Sequence, residues 1–493
     1  MNHETILRFR KQRGVNLGSW FVLEHWITDD PFRCAHVPGQ SDLDVVRGAD
    51  ARRILEEHWD TWIRETDFAW LAQRGVNTVR IPIGYYHICG ADPSVLKGTA
   101  FHDFGYVYGG AWSRITGAIE LAEKYGMGVL IDLHAAPGKQ NNDAHAGTSD
   151  ASTFFSEKAS RKHTITVLCT LVRLLKPFRN IIGVELLNEP HPPSDSDLQH
   201  WYTTTIREIR TIDPQIPLYL GECWRTDAYV TFVERLAPAL RGGLLVLDHH
   251  LYRCFTGSDN TTKAAEHARA LADPNGGTQK VFENAAERLG RAGGGLVVGE
   301  WSGALNPGSL EGWDGERKEY VDAQMGVYEK WCGGWFFWTY KKKGGKDVGW
   351  SFRDAVEAGV LPGWVGGIKV DRVKWEAKDR RVVGEVPVRK DVREKVIAGH
   401  IGYWAQYPGE YEHWRFGQGF DIGWADTYAF FNTAGRVPGF LGNFVIVPEI
   451  GFKGAWARRR TKDHGKGYWE YEHGFLQGAK AAEEEFRRVW GVK

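Results

Sequence analysis

Apolar residues gather in short runs separated by longer stretches with helical spacing. The runs are GVNLGSW (14–20), VNTVRIPI (76–83), MGVLIDLHAAP (127–137), IIGVELLNEP (181–190), IPLYLGE (216–222), GLLVLDHHLY (243–252), GLVVGEWS (295–302) and GGWFFWTYK (333–341). Between several of them lie amphipathic segments such as WSRITGAIELAEKYG (112–126) and RKEYVDAQMGVYEKWCG (317–333). Near-continuous apolar strands alternating with helices predict a parallel sheet covered by helices. Eight such units in about 340 residues fit a (β/α)8 barrel with insertions. A doubly wound open sheet would want a glycine-rich phosphate loop after its first strand, and GVNLGSW is not one. The expected class is α/β: a (β/α)8 TIM barrel over residues 1–365, followed by a mostly helical extension over 366–493.

In such a barrel, chemistry collects where strands end. The stretch VELLNEPHPP (184–193) places Glu189 between a strand-like run and prolines that a central strand cannot continue through. An unpaired buried charge is costly, so Glu189 should stand at a strand mouth facing a cavity. The other strand ends supply Glu24, Arg80, His134, Asn188, His250, Tyr252, Glu300 and Trp338. Any one of them alone reads as a satisfied polar group. Nine at matching ends read as a site. Glu189 and Glu300 follow the fourth and seventh runs, on opposite sides of one mouth. Two carboxyl groups about 5–5.5 Å apart can hydrolyse a glycoside with retention, one as acid/base and one as nucleophile.

Composition narrows the partners. The chain has 62 basic and 62 acidic residues, so its charge makes no case for nucleic acid or an anionic membrane. No apolar run reaches the length of a membrane span. Aromatics are abundant, with 22 Trp, 18 Tyr and 24 Phe, which serve equally as core or as stacking platforms for sugar rings. The six cysteines form no Cys-x-x-Cys pair, HExxH is absent, and His249-His250 lacks a helical partner pair, so neither a metal nor a cofactor is expected. MNHETILRFRKQRGVNLG lacks the long apolar core of a signal peptide. The expected location is the cytoplasm, or outside the cell if a leader was removed.

The motif IGVELLNEP resembles the signature of glycoside hydrolase family 5 around Asn-Glu-Pro. RGVNLGSWFVLE, VRIPIGYY, IDLHAAPGKQN, DHHLYRCF, GEWSGAL and FFWTYK resemble, in the same order, segments of the fungal exo-β-1,3-glucanases of that family. The likeness covers residues 12–362. It implies that Glu189 is the acid/base and Glu300 the nucleophile. It also implies that Asn188 holds the sugar 2-hydroxyl, that Arg80 and Tyr252 orient Glu300 and keep it ionised, that Glu24, His134 and His250 bind hydroxyls of a terminal glucose, and that Trp338 floors its ring. The family pattern departs in one loop: where a Gly-Phe pair usually supplies an aromatic clamp on the leaving sugar, Asn142 and Asp143 stand here. Phe255, the other half of the clamp, is present.

The second departure is the C-terminus. IKVDRVKWEAKDRRVVGEVPVRKDVREK (368–395) is dense in mixed charge and reads as a solvated extension or inserted hairpin. An aromatic segment (400–431) and a final helix (472–490) follow, and Tyr-Glu-His occurs at both 411–413 and 471–473. Packing against the outside of the barrel is the favoured reading. The alternative is a cap that brings Trp404, Trp414 or Trp424 to the mouth. No linker-like composition marks a separate carbohydrate-binding module.

The function expected is a retaining β-glucosidase or exo-β-1,3-glucanase, with β-linked glucose in a carbohydrate as substrate. The alternatives are a glucosidase for a steryl, flavonoid or disaccharide glycoside, a transglycosylase, or, in a different class, a non-catalytic sugar-binding protein.

Overall fold

The structure is a computed structural model and describes residues 1–313, 315–377, 387–434, 444–461 and 464–491. Eight parallel strands close into a barrel in sequence order. They are β1 (Gln12–Asn16), β2 (Thr78–Gly84), β3 (Gly128–Ala135), β4 (Ile181–Glu185), β5 (Pro217–Gly221), β6 (Leu244–Leu251), β7 (Gly295–Trp301) and β8 (Gly334–Phe337). β8 closes on β1 through the pairs Gln12↔Gly334 to Val15↔Phe337. Every residue of these strands is buried, which is why they read as continuous apolar runs and not as alternation. Helices such as Ala111–Lys124 cover the outside, turning Ile115, Ala118, Ile119 and Ala122 inward at helical spacing. Several runs overreach the strands. β1 stops at Asn16, so Gly18–Trp20 belongs to a loop, and β4 stops four residues before Glu189.

The base of the barrel is closed by both ends of the chain. Helix His3–Phe9 buries Ile6, Leu7 and Phe9 among Leu130, Ile182, Tyr219, Leu244, Val246, Val297 and Phe336. Burying a side chain of this kind contributes about 1.5–3 kcal/mol. The same cluster takes in Phe430, Phe452, Trp456 and Phe475 from the C-terminal segment. Phe452 lies against the first turns of β7 and β8, where a Cβ at Gly295 or Gly333 would meet its ring at 2.3 and 2.1 Å. Arg13 bridges Glu329 and Glu449, at 2.9 Å each, and Arg459 donates to Gly243 O and Gln215 Oε1.

Within the extension, β9 (Lys369–Asp371) pairs antiparallel with β10 (Phe444–Ile446). The charged stretch 368–395 therefore does not fold back on itself as a hairpin over its described part; its strand finds a partner some seventy residues on, because Val370 and Val445 can bury together. Residues 378–386 of that stretch lie outside the described ones. Among the described residues the extension also carries the helices Arg372–Ala377, Lys390–Trp404, His413–Phe431, Lys453–Arg460 and Tyr468–Trp490. The two longest approach to backbone contact along a glycine seam. A Cβ at Gly419 or Gly423 would come within 2.0–2.1 Å of the Tyr471 and Phe475 carbonyls, and one at Gly474 or Gly478 equally close to those of Phe416 and Phe420. Trp424 is buried in the extension's own core with Phe420 and Tyr428. Among the described residues, no helix is long and apolar enough to cross a membrane.

Candidate active site

Local backbone geometry sets the two carboxylates. Past β4 the chain reaches Glu189 with φ +40°, a left-handed conformation that costs a non-glycine residue about 1–3 kcal/mol. Side chains of the loop after β3 hold it there: Gln140 Nε2 donates to Asn188 O (3.0 Å) and Asn141 Nδ2 to Glu189 O (3.1 Å). On β7 the register against both neighbours slips around Gly299, a bulge that re-aims Glu300. Only glycine fits at the bulge, since a Cβ at Gly299 would lie 2.0 Å from Asp248 Oδ2.

Glu300 accepts from Arg80 Nη1 at Oε1 and from the Tyr252 hydroxyl at Oε2, both at 2.9 Å. Glu189 Oε1 faces His250 Nδ1 at 2.7 Å, and the same nitrogen lies 3.4 Å from Glu300 Oε2. One oxygen of each carboxylate and this ring nitrogen all lie within 4.8 Å of one another. That spacing belongs to the close carboxylate pairs of retaining glycosidases and is too short for the 6.5–9.5 Å of inverting ones.

Arg80 is fully buried beneath them and commits its guanidinium to the site's floor. Nε donates to Glu185 (2.7 Å), Nη1 also to Asn16 (2.9 Å) and Nη2 to Asn188 (2.9 Å), with Asp132 3.1 Å away. His134 Nδ1 pairs with Asp132 at 2.6 Å while its ring stacks on Trp338, 5.6 Å between centroids and 6° between planes.

Charge in this floor follows from burial and neighbours. Burial would lower the pKa of His250, but Glu300, Asp248 and Glu189 together hold it well above the ordinary range, as an imidazolium. Burial also opposes ionisation of Glu189, yet the hydrogen bond and charge of His250, with His145 and His134 beyond, bring it down to about 2. Burial pushes Glu300 up, with His250 and Arg80 pulling against it. Burial pushes Glu185 far up, with Arg80 pulling against it through the 2.7 Å bond to Oε2. The resting site thus carries a mobile proton on His250 Nδ1, one 2.7 Å hydrogen bond away from Glu189.

Above the floor opens a cavity of about 1170 Å3. Glu24, Glu189, His250, Tyr252, Phe255, Glu300 and Trp338 line it. Arg80, His134 and Asn188 stand underneath, in contact with these residues. Phe255 is 72% exposed, so it marks the rim, 6.1 Å from Trp350. Asp143 also lines the cavity. Trp404, Trp414 and Trp424 do not, because the extension meets the barrel at its opposite pole.

Several contributors were not picked out by sequence reasoning. His145 sits in the post-β3 loop with Nδ1 3.8 Å from Glu24 and Nε2 3.9 Å from both Asp143 and Glu189. Burial lowers its pKa, but Glu24, Glu189 and Asp143 outweigh this and push it up to about 9. Trp26, Trp224 and Trp350 form aromatic walls. Asp132 and Asp248 had a visible signal: each lies two residues before a site histidine, in Asp-Leu-His and Asp-His-His, so strand alternation puts acid and imidazole on one face.

A parallel barrel with two carboxylates set against each other at the C-terminal ends of its strands is the architecture of a barrel glycoside hydrolase. Residues 48–344 match the family described as Cellulase (glycosyl hydrolase family 5), and residues 387–486 match the Glucan 1,3-beta-glucosidase 3 C-terminal domain. The chain belongs to glycoside hydrolase family 5. It is 31% identical to Glucan 1,3-beta-glucosidase 3 of Schizosaccharomyces pombe, over 96% of this chain and 95% of that one. It is 29% identical to a Probable glucan 1,3-beta-glucosidase A of Emericella nidulans, over 71% of this chain and 90% of that one. A rutinosidase from Aspergillus niger shares the fold, with a TM-score of 0.56 at 19% identity over 72% of this chain and 98% of that one.

Proposed function

We propose that the protein is a retaining, exo-acting β-glucosidase that removes terminal glucose from β-1,3-linked glucan oligosaccharides and related β-glucosides. The observation that carries this reading is the unequal support of the two carboxylates. Glu300 is fixed by Arg80 and Tyr252, which suits a nucleophile that must stay ionised and aimed. Glu189 is hydrogen-bonded by a titrating group, His250, with a second imidazole, His145, 3.9 Å away, which suits a group that must both give and take a proton. Glu300 attacks the anomeric carbon as the bond to the leaving oxygen breaks. The proton, passed from His250 to Glu189 as substrate displaces water, goes to that oxygen. Water then attacks the glycosyl ester, Glu189 takes its proton, and glucose leaves with its β configuration.

On this reading, as the family resemblance implies, Asn188 meets the sugar 2-hydroxyl, Glu24, His134 and His250 the hydroxyls of the terminal glucose, and Trp338 the ring face. The names of the glucan 1,3-β-glucosidase relatives support glucose and the 1,3 linkage. A second reading, hydrolysis of glucosides with other aglycones, is favoured by Asp143 standing where an aromatic clamp is expected and by the broad aromatic wall of Trp26, Trp224 and Trp350. We further take residues 1–365 as the catalytic barrel with 366–493 as its extension, and the cytoplasm as its location, supported by six cysteines that are all unpaired; cell fractionation tests the latter.

An activated 2-deoxy-2-fluoro-β-glucoside should label Glu300 covalently, identified by peptide mass spectrometry. Proton NMR should show β-glucose as the first product. Early α-glucose, or a label on another residue, overturns the assignment.

A further inference from the structure

The extension contains a cluster of metal-ligating side chains that the hydrolase chemistry does not use. His400, near the end of helix Lys390–Trp404, points Nε2 at Glu470 Oε2 from 3.2 Å. His413, at the first turn of helix His413–Phe431, points Nδ1 at the same oxygen from 3.1 Å. Glu470 lies on the third helix, Tyr468–Trp490, with His473 one turn on. The ring centres of His413 and His473 lie 5.1 and 5.5 Å from that of His400. The two Tyr-Glu-His triplets of the sequence therefore deliver both their histidines to one place.

We propose that His400 Nε2, His413 Nδ1 and Glu470 Oε2 form a zinc site that ties the three helices of the extension together. All three atoms lie within 4.8 Å of one another. Zinc held at about 2.0–2.1 Å by nitrogen and oxygen ligands in a tetrahedron separates neighbouring ligand atoms by roughly 3.3–3.4 Å. The two separations from Glu470 Oε2, 3.2 and 3.1 Å, are close to those edges, and the third edge, between the two imidazole nitrogens, is no longer than 4.8 Å. Two imidazoles and one carboxylate are a donor set that suits Zn2+ over Ca2+ or Mg2+, which take oxygen ligands.

The surroundings are arranged around the ligands. Glu470 Oε1 accepts the backbone N–H of Glu412 at 2.6 Å, which fixes the carboxylate and leaves Oε2 for the ion. His400 is stacked on Phe416 at 4.0 Å between centroids and is almost wholly buried, so its ring cannot turn away. Its Nδ1 is buried without a partner and can take the ring proton, and zinc at Nε2 then replaces the present Nε2–H bond to Glu470 Oε2. Water takes the fourth position, on the side of the exposed His473. The ion binds imidazoles that remain neutral; each keeps its single proton on the nitrogen away from the metal.

Tag-free full-length protein, purified without chelators and dialysed against metal-free buffer, should retain about one zinc per chain by elemental analysis. Stripping with a chelator and adding back Zn2+ should raise the unfolding temperature at a one-to-one ratio. Co2+ in place of Zn2+ should give visible absorption bands of tetrahedral intensity. His413→Asn retains an N–H donor for Glu470 but is a poor metal ligand. It should keep the circular dichroism of the parent while lowering zinc affinity at least ten-fold. Retention below one-tenth of an equivalent with no shift on Zn2+ addition, or equal affinity in His413→Asn, overturns the site. The cobalt spectrum decides the matter on the unmutated chain should the variant not fold.

Discussion

Tyr252→Phe removes one oxygen atom and nothing else from the site. The ring keeps its packing against Phe255 and Trp350, at 5.5 and 5.4 Å between centroids. What is lost is the 2.9 Å bond to Glu300 Oε2, leaving that oxygen only His250 Nδ1 at 3.4 Å. A hydrogen bond to a charged acceptor contributes about 1.5–3 kcal/mol. The bond favours ionised Glu300, so its loss should raise the Glu300 pKa. Burial has already pushed this carboxyl upward against Arg80 and His250, and the change adds to that direction. Turnover needs ionised Glu300, so activity falls as pH drops through its pKa, and that acid limb should move to higher pH in the variant. At the plateau, the misaimed nucleophile should lower kcat/KM by about 10–100-fold, the same 1.5–3 kcal/mol expressed as a rate. The assay is kcat/KM against pH with an aryl β-glucoside. A limb that stays in place would refute the role given to the hydroxyl. A shift of the alkaline limb alone would point to Tyr252 acting through His250 instead.

Glu189→Gln should lose most activity on glucosides with poor leaving groups yet retain it in forming the glycosyl ester from dinitrophenyl glucosides, with azide restoring turnover as β-glucosyl azide; equal loss on both substrates removes Glu189 from the acid/base role. Asp143→Phe should improve kcat/KM on laminarin relative to aryl glucosides by about five-fold, the scale of one stacking contact near 1 kcal/mol, and an unchanged ratio means the aromatic wall already supplies that grip. His145 has a folded pKa of about 9, above its ordinary 6.5, so it contributes stability that is fully present below 6.5 and lost as pH rises through 9. His145→Asn should therefore lower the unfolding free energy from urea melts at pH 6 by an amount on the order of 3 kcal/mol and hardly at all at pH 10, and equal losses at both would exclude its charge as the cause.

The barrel was legible because parallel strands buried on both faces cannot hide their composition: runs such as VNTVRIPI and GLVVGEWS are apolar throughout. The catalytic carboxylates were legible because each breaks such a run. The limits of the reading are equally physical. Strand ends shifted wherever an apolar residue serves a loop, as in the turns after Asn16 and Glu185. His145 gave no signal, since the 22 residues between β3 and helix Lys158–Leu175 have no period, and only the fold brings it within 4 Å of Glu24 and Glu189. Trp350 lies beyond the last strand in sequence and reaches Tyr252 only through the returning loop. The pairing of β9 with β10 was invisible because the two strands are three residues each and far apart in sequence.

The position of the extension limits what it can do. Its contacts with the barrel, through Phe452, Arg459 and Glu449, fall at the first residues of β1 and of β5 to β8 or just before them. The carboxylates stand at the other end of those strands. Between the poles lies a filled interior of Leu130, Ile182, Tyr219, Val246, Val297 and Phe336, packed as densely as any core and unable to hand on small shifts gradually. An extension so placed acts on the active site chiefly by keeping the barrel closed, since Phe9, Phe336 and Phe452 lose their cover together if it opens. Its effect should appear in unfolding and in the lifetime of activity on heating, with KM for short glucosides left alone. Zinc at His400, His413 and Glu470 would sit further still from the sugar, joining helix Lys390–Trp404 to the two helices that send Phe430 and Phe475 into the base. Metal removal should accordingly change the temperature at which activity is lost and leave the rate at lower temperature unaltered. A fall in kcat without a fall in stability would mean that the two poles are coupled through the strands after all.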